Sequence, residues 1–183
     1  MEDDKKRYTL AILVNNRSGV LMRVVGLFSR RGYNIDSLSV GETENPKISR
    51  ITIVVTADRQ VVDQIQRQVE KLVDVIRVFE MTDRGSLQRE LVMLKIRATE
   101  RTRTQIVEIG EIFKSKIIDV TPMTITLMLT GSLDKLESFF ALVKPYGIVE
   151  MVRTGITALE RGSRSLIEIG HDEDYDYKEQ TNE

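Results

Sequence analysis

The sequence predicts an α+β protein of two tandem units, each with the element order β-α-β-β-α-β, and two observations carry that prediction. Short apolar runs bounded by Gly, Asn, Asp or Pro alternate with stretches in which apolar residues recur at three- and four-residue spacing. The whole alternation then occurs a second time, beyond a polar break at Asp83-Arg84-Gly85-Ser86. This order is the ferredoxin-like arrangement, in which two right-handed split crossovers put both helices on one face of a four-stranded antiparallel sheet.

Residues 8–14 form an apolar run of the kind a fully buried strand shows, and it feeds the turn cluster Asn15, Asn16, Arg17, Ser18 and Gly19. Ser18 is the expected N-cap of a first helix whose stripe is Val20, Leu21, Val24, Val25, Leu27 and Phe28. Gly32 should end it in the left-handed conformation. Residues 33–40 and 48–56 then read as two neighbouring strands around a polar loop containing Pro46. Asp58 is the expected cap of a second helix with Val62, Ile65, Val69 and Leu72 on its stripe, and residues 73–79 return as a strand.

In the second unit, residues 90–98 read as a strand and Ile106, Ile109, Gly110 and Phe113 mark a helix. Residues 117–120 and 123–129 are strands, Leu136, Phe139, Phe140 and Val143 mark a helix, and residues 148–152 are a last strand. Gly26-Leu27-Phe28 and Glu111-Ile112-Phe113 occupy equivalent places in their units, as do residues 72–75 and 146–149. The expected domains are therefore residues 1–82 and 87–168, followed by a disordered acidic tail at 169–183. Residues 155–168 carry Ile156, Leu159, Leu166 and Ile167 around Gly162-Ser163-Arg164, and suit packing on a partner or on the chain's own domain.

Composition narrows the function classes. A chain of 183 residues with 41% hydrophobic and 30% charged residues has room for one large or two small domains. Net charge of −1 gives no global field for nucleic acid or an anionic membrane. There is no cysteine, hence no disulfide, thiolate metal site or cysteine nucleophile. The beginning has no apolar signal region and no run is long enough to span a bilayer, which leaves the cytoplasm as the default expectation.

No catalytic constellation emerges. The one histidine, His171, sits in the acidic stretch, and no metalloprotease, P-loop, dinucleotide or hydrolase-elbow motif is present. RNA-binding ferredoxin-like sheets stack bases on aromatics of their middle strands; residues 51–56 are Ile, Thr, Ile, Val, Val and Thr. Arg17 lies where an acylphosphatase-like enzyme wants an arginine, but Gly19-Val20-Leu21 is no phosphate cradle. We expect no catalytic residue and no metal site.

The Asn15–Gly19 turn offers a different chemistry. A turn entering a helix aims unpaired backbone N–H groups and the positive end of the helix dipole at one place, which suits an anion. Gly19 lets a ligand approach the main chain, and Asn16 and Asn34 each carry a donor and an acceptor, so that both ends of a zwitterion could be held. On their own, the same residues suit a turn and a helix cap with no ligand better than a binding site.

One family resembles these residues over almost the whole chain. Asn16-Arg17-Ser18-Gly19-Val20-Leu21, then Val25-Gly26-Leu27-Phe28-Ser29-Arg30-Arg31-Gly32-Tyr33-Asn34-Ile35-Asp36-Ser37-Leu38, closely resemble the regulatory (small) subunit of acetohydroxyacid synthase, also called acetolactate synthase. Lys71-Leu72-Val73-Asp74-Val75, Arg89-Glu90-Leu91 and Ile117-Ile118-Asp119-Val120-Thr121-Pro122 continue it. The resemblance implies an N-terminal ACT domain that binds a branched-chain amino acid, typically valine, between two copies of a homodimer. It implies a partner as well: a catalytic large subunit that carries thiamine diphosphate, FAD and magnesium, is stimulated by this chain and made sensitive to feedback inhibition. This chain would itself hold no cofactor. Carried onto matching positions, the effector carboxylate meets backbone amides of Gly19, Val20 and Leu21, Asn16 and Asn34 are polar contacts, and Ile35 lies beside the pocket. The alternative is a free-standing ACT-type amino-acid sensor with no catalytic partner.

Overall fold

All twelve elements expected from the pattern form, and one more follows them. A computed structural model describes residues 5–163, 165 and 166. The first sheet holds β1 (Lys6–Asn15), β2 (Ser37–Glu42), β3 (Ile48–Ala57) and β4 (Val75–Glu80) in the order β2-β3-β1-β4, with α1 (Val20–Arg31) and α2 (Arg59–Val69) as crossovers. The second holds β5 (Ser86–Arg97), β6 (Lys116–Val120), β7 (Thr124–Gly131) and β8 (Ile148–Arg153) in the order β6-β7-β5-β8, with α3 (Arg103–Ile112) and α4 (Leu133–Val143). Both orders are ferredoxin-like. The expected acidic tail, with His171, lies outside the described residues.

In the first unit, β1 pairs antiparallel with β3, Leu10 opposite Ile53 and Ile12 opposite Ile51. Those residues share one face with the buried stripes of α1 (Val20, Val24, Leu27, Phe28) and α2 (Val62, Ile65, Val69). The alternate residues Ala11 and Leu13 face the other way, into a cluster with Ile48, Met81, Ala158 and Leu166. Both faces of β1 are thus covered, which is why residues 10–14 are apolar without interruption.

The added element is β9 (Thr157–Glu160), which pairs with β5. Arg161 N–H donates to the Gly85 carbonyl at 2.9 Å, and Ile156, Ala158 and Leu166 are buried. The sequence leaves residues 155–168 open to a partner or to their own domain, residues 87–168; Ile156 and Leu166 are buried within the chain but Leu159 is exposed. The chain divides into two compact units, and the described residues from Ala158 onward group with residues 5–36 and Val40–Leu87, while Ser37–Ser39 and Gln88–Thr157 form the other.

Three local expectations shift. Ser18 does not cap α1: Gly19 takes the N-cap position at φ 83°, ψ −7°, with no side-chain hydrogen bond there. That left-handed conformation is easy for Gly and costly for Ser. Residues 33–36 are not yet strand; after Gly32 (φ 70°), Tyr33 N–H closes onto the Phe28 carbonyl at 3.0 Å, and β2 begins at Ser37. Leu72 lies beyond the end of α2. Asp58 does cap α2, its Oδ1 accepting from Val61 N–H at 2.8 Å.

The second unit's core is Val92, Leu94 and Ile96 of β5, Ile125, Leu127 and Leu129 of β7, Ile106 of α3, and Leu136, Phe139 and Val143 of α4. Phe139 lies 5.4 Å from the Phe113 ring. Beside it, the carboxylate of buried Glu90 accepts two hydrogen bonds from Arg153, Nε at 2.9 Å and Nη2 at 2.5 Å, and the guanidinium stacks 5.4 Å over Phe140. Hydrogen bonding to Glu90 holds the Arg153 pKa above its ordinary value against the opposing effect of burial. No described helix is long and apolar enough to cross a membrane.

Candidate effector site

The sequence-predicted site residues fall in two groups, one at each end of α1. Asn16, Gly19, Val20 and Leu21 gather at its start, and Asn34 and Ile35 follow its end. The helix has 12 residues, about 18 Å at about 1.5 Å per residue. A single small amino acid cannot touch both groups in one chain.

At the start of α1, the first i→i−4 bond runs from Arg23 N–H to the Gly19 carbonyl at 3.1 Å. Val20 N–H reaches only the Arg17 carbonyl, at a long 3.4 Å, and the amides of Leu21 and Met22 precede the helical ladder. With no side-chain cap, the positive helix end stays open. A Cβ built on Gly19 would have no neighbour within 4 Å, so the space above the turn is free. Val20 is buried and Leu21 is exposed at its rim.

The turn itself is held firmly. Asn15 N–H donates to the Asp74 carbonyl at 2.9 Å and Asn16 N–H to the Lys47 carbonyl at 2.7 Å. Asp74 also binds Arg23 of α1, Nη2 to Oδ2 at 2.5 Å, tying the helix to the chain entering β4. The Asn16 side-chain Nδ2 donates to Glu42 Oε1 and to the Pro46 carbonyl, both at 2.9 Å.

At the other end, Asn34 Nδ2 donates to Asp36 Oδ1 at 2.9 Å, and Asp36 Oδ2 accepts from Thr56 Oγ1 at 2.6 Å. Asn34 also lines a groove of about 340 Å³ whose floor includes Val55, Ala57 and Ile65 and whose rim carries Lys5 and Arg31. Ile35 does not line it. Sequence reasoning passed over Glu42, Asp36, Thr56 and Asp74. Asp36 stands two residues from Asn34, in reach of an Asx-type contact; Glu42 and Asp74 are brought in by strand pairing, which leaves no local mark.

Among the described residues no group of three or more His, Cys, Asp or Glu could hold a metal ion. Residues 10–77 match the family described as the AHAS small subunit-like ACT domain, and residues 89–162 match that described as the small subunit of acetolactate synthase. The fold and these matches define a regulatory subunit built on an ACT domain. The chain is 42% identical over 166 residues to the acetolactate synthase small subunit of Mycolicibacterium smegmatis, covering 91% of this chain and 98% of that one. It is 45% identical over 161 residues to the isozyme 3 small subunit of Salmonella typhimurium, covering 87% and 99%. The crystal structure of the Thermotoga maritima small subunit superposes with a TM-score of 0.79 at 36% identity, over 87% of this chain and 99% of that one. The chain belongs to the acetolactate synthase small-subunit family.

Proposed function

We propose that this chain stimulates the large subunit, which carries thiamine diphosphate, FAD and magnesium, and makes it subject to feedback inhibition by a branched-chain amino acid, valine first among them. The effector sits between the ACT domains of two copies. Its carboxylate lies against the start of α1 in one copy, at the amides around Gly19, Val20 and Leu21 with Asn16 beside them. Asn34 and Ile35 come from the other copy.

The observation that supports this reading best is the separation of the two residue groups by the length of α1. Their chemistry is complementary, anion-receptive backbone at one end and an amide beside a groove with an apolar floor and a polar rim at the other. A two-fold axis that sets one copy's helix start against the other's helix end would complete two equivalent sites per dimer. Valine then favours one arrangement of the dimer, and coupling of about 1–3 kcal/mol between that arrangement and the large subunit gives useful inhibition.

The test is acetolactate formation by the large subunit with and without this chain across a valine titration. Stimulation that valine reverses is expected. Stimulation indifferent to valine, leucine and isoleucine would remove the effector, and no stimulation would leave a free-standing amino-acid sensor.

A further inference from the structure

We propose that Glu42 is a positioning residue that fixes the Asn16 amide so that only its carbonyl oxygen is offered to the effector, and thereby makes the site select an ammonium group. This rests on the effector reading above and goes one residue further. Asn16 Nδ2 lies 2.9 Å from Glu42 Oε1 and 2.9 Å from the Pro46 carbonyl. Both of those atoms can only accept, so the atom between them is the amide nitrogen, and a flipped amide would set oxygen against two oxygens.

Both amide protons are thereby used. The remaining Oδ1 has no partner among the described residues and is an obligate acceptor. Asn16 precedes Gly19, the N-cap of α1, by three residues, and the proposed carboxylate lies at that helix start. An α-amino acid with its carboxylate at the helix start turns its ammonium donors toward such an oxygen. A 2-oxo acid has no donor to give, and a 2-hydroxy acid has one in place of three. Pro46 anchors one amide proton through backbone, but the second depends on the Glu42 side chain alone. Without it the amide swings about the Pro46 contact and can present N–H as readily as C=O.

Isothermal titration of the full-length chain with L-valine and with 2-hydroxy-3-methylbutanoate tests this in the wild type, Glu42→Ala and Glu42→Gln. In Glu42→Ala, valine affinity should fall about three- to tenfold, the net worth of a typical hydrogen bond, and preference for valine over the hydroxy acid should fall with it. Glu42→Gln keeps an acceptor oxygen and should restore both affinity and preference to within about threefold of wild type. A merely structural contact would weaken both ligands alike and leave the preference unmoved. Unchanged strength and preference in Glu42→Ala overturns the positioning role alone, as does Glu42→Gln behaving like Glu42→Ala. A wild-type chain that binds no branched-chain amino acid overturns the effector reading and this inference with it.

Discussion

Gly19 carries two demands at once, a left-handed backbone at φ 83° and free space above it. In Gly19→Asp the backbone term is about 1–2 kcal/mol or less, since Asp tolerates this region better than most residues. On the proposed reading, the added carboxylate faces the effector's carboxylate. Calorimetry should therefore show valine affinity lowered by about tenfold or more, equivalent to about 1.4 kcal/mol, while the melting temperature falls only a few degrees. Unchanged affinity would remove the site assignment. Glu90 makes the opposite case, a buried carboxylate whose two hydrogen bonds come from Arg153. Arg153→Leu strands that charge and should cost about 3–5 kcal/mol in urea unfolding. Asp58 and Gly32 could be read from the sequence because a cap depends only on neighbours along the chain. Glu90 with Arg153, 63 positions apart, and Asn16 with Glu42, 26 apart, could not, because strand pairing alone brings them together.

Elements were legible wherever periodicity was sustained. The twelve strands and helices of the two units follow from apolar spacing, and their strand orders follow from the connection rules. β9 was not, since four residues interrupted by polar ones leave too little period to read; of the apolar residues that marked the segment, Ile156 and Leu166 are buried and Leu159 is exposed. Its role shows in what it covers: Ala158 and Leu166 lie with Ala11, Leu13, Ile48 and Met81 on the side of the first sheet away from its helices. A chain ending at Thr154 should expose that cluster, bind a hydrophobic dye such as ANS, and melt earlier than the full chain. Melting and dye binding like the full chain's would deny β9 that role. In the second unit Phe139, wholly buried against Phe113, is the corresponding keystone, and Phe139→Ala should cost about 3–5 kcal/mol.

For the whole molecule, the proposed sharing of the effector between the start of α1 in one copy and its end in another would make ligand affinity a property of assembly. Valine should shift the chain toward dimer in sedimentation velocity, and its apparent affinity should weaken on dilution below the dimer dissociation constant. A concentration-independent valine affinity in a monomeric chain would refute the shared site. Family and fold were legible because the resemblance runs through both units. The site's polarity was not, because it resides in amide protons that only a folded loop assigns.

The return of residues 158–166 to the first unit also sets an order of events at the ribosome. The first sheet's four strands are complete by residue 80, but Ala158 and Leu166 emerge only after roughly eighty more residues, which at about 5–20 residues per second takes several seconds. Through that interval Ala11, Leu13, Ile48 and Met81 have no cover from their distant sequence partners. The nascent chain therefore passes through a stage in which its regulatory half is folded on one side and adhesive on the other, a window open to chaperones and to premature association with neighbouring chains.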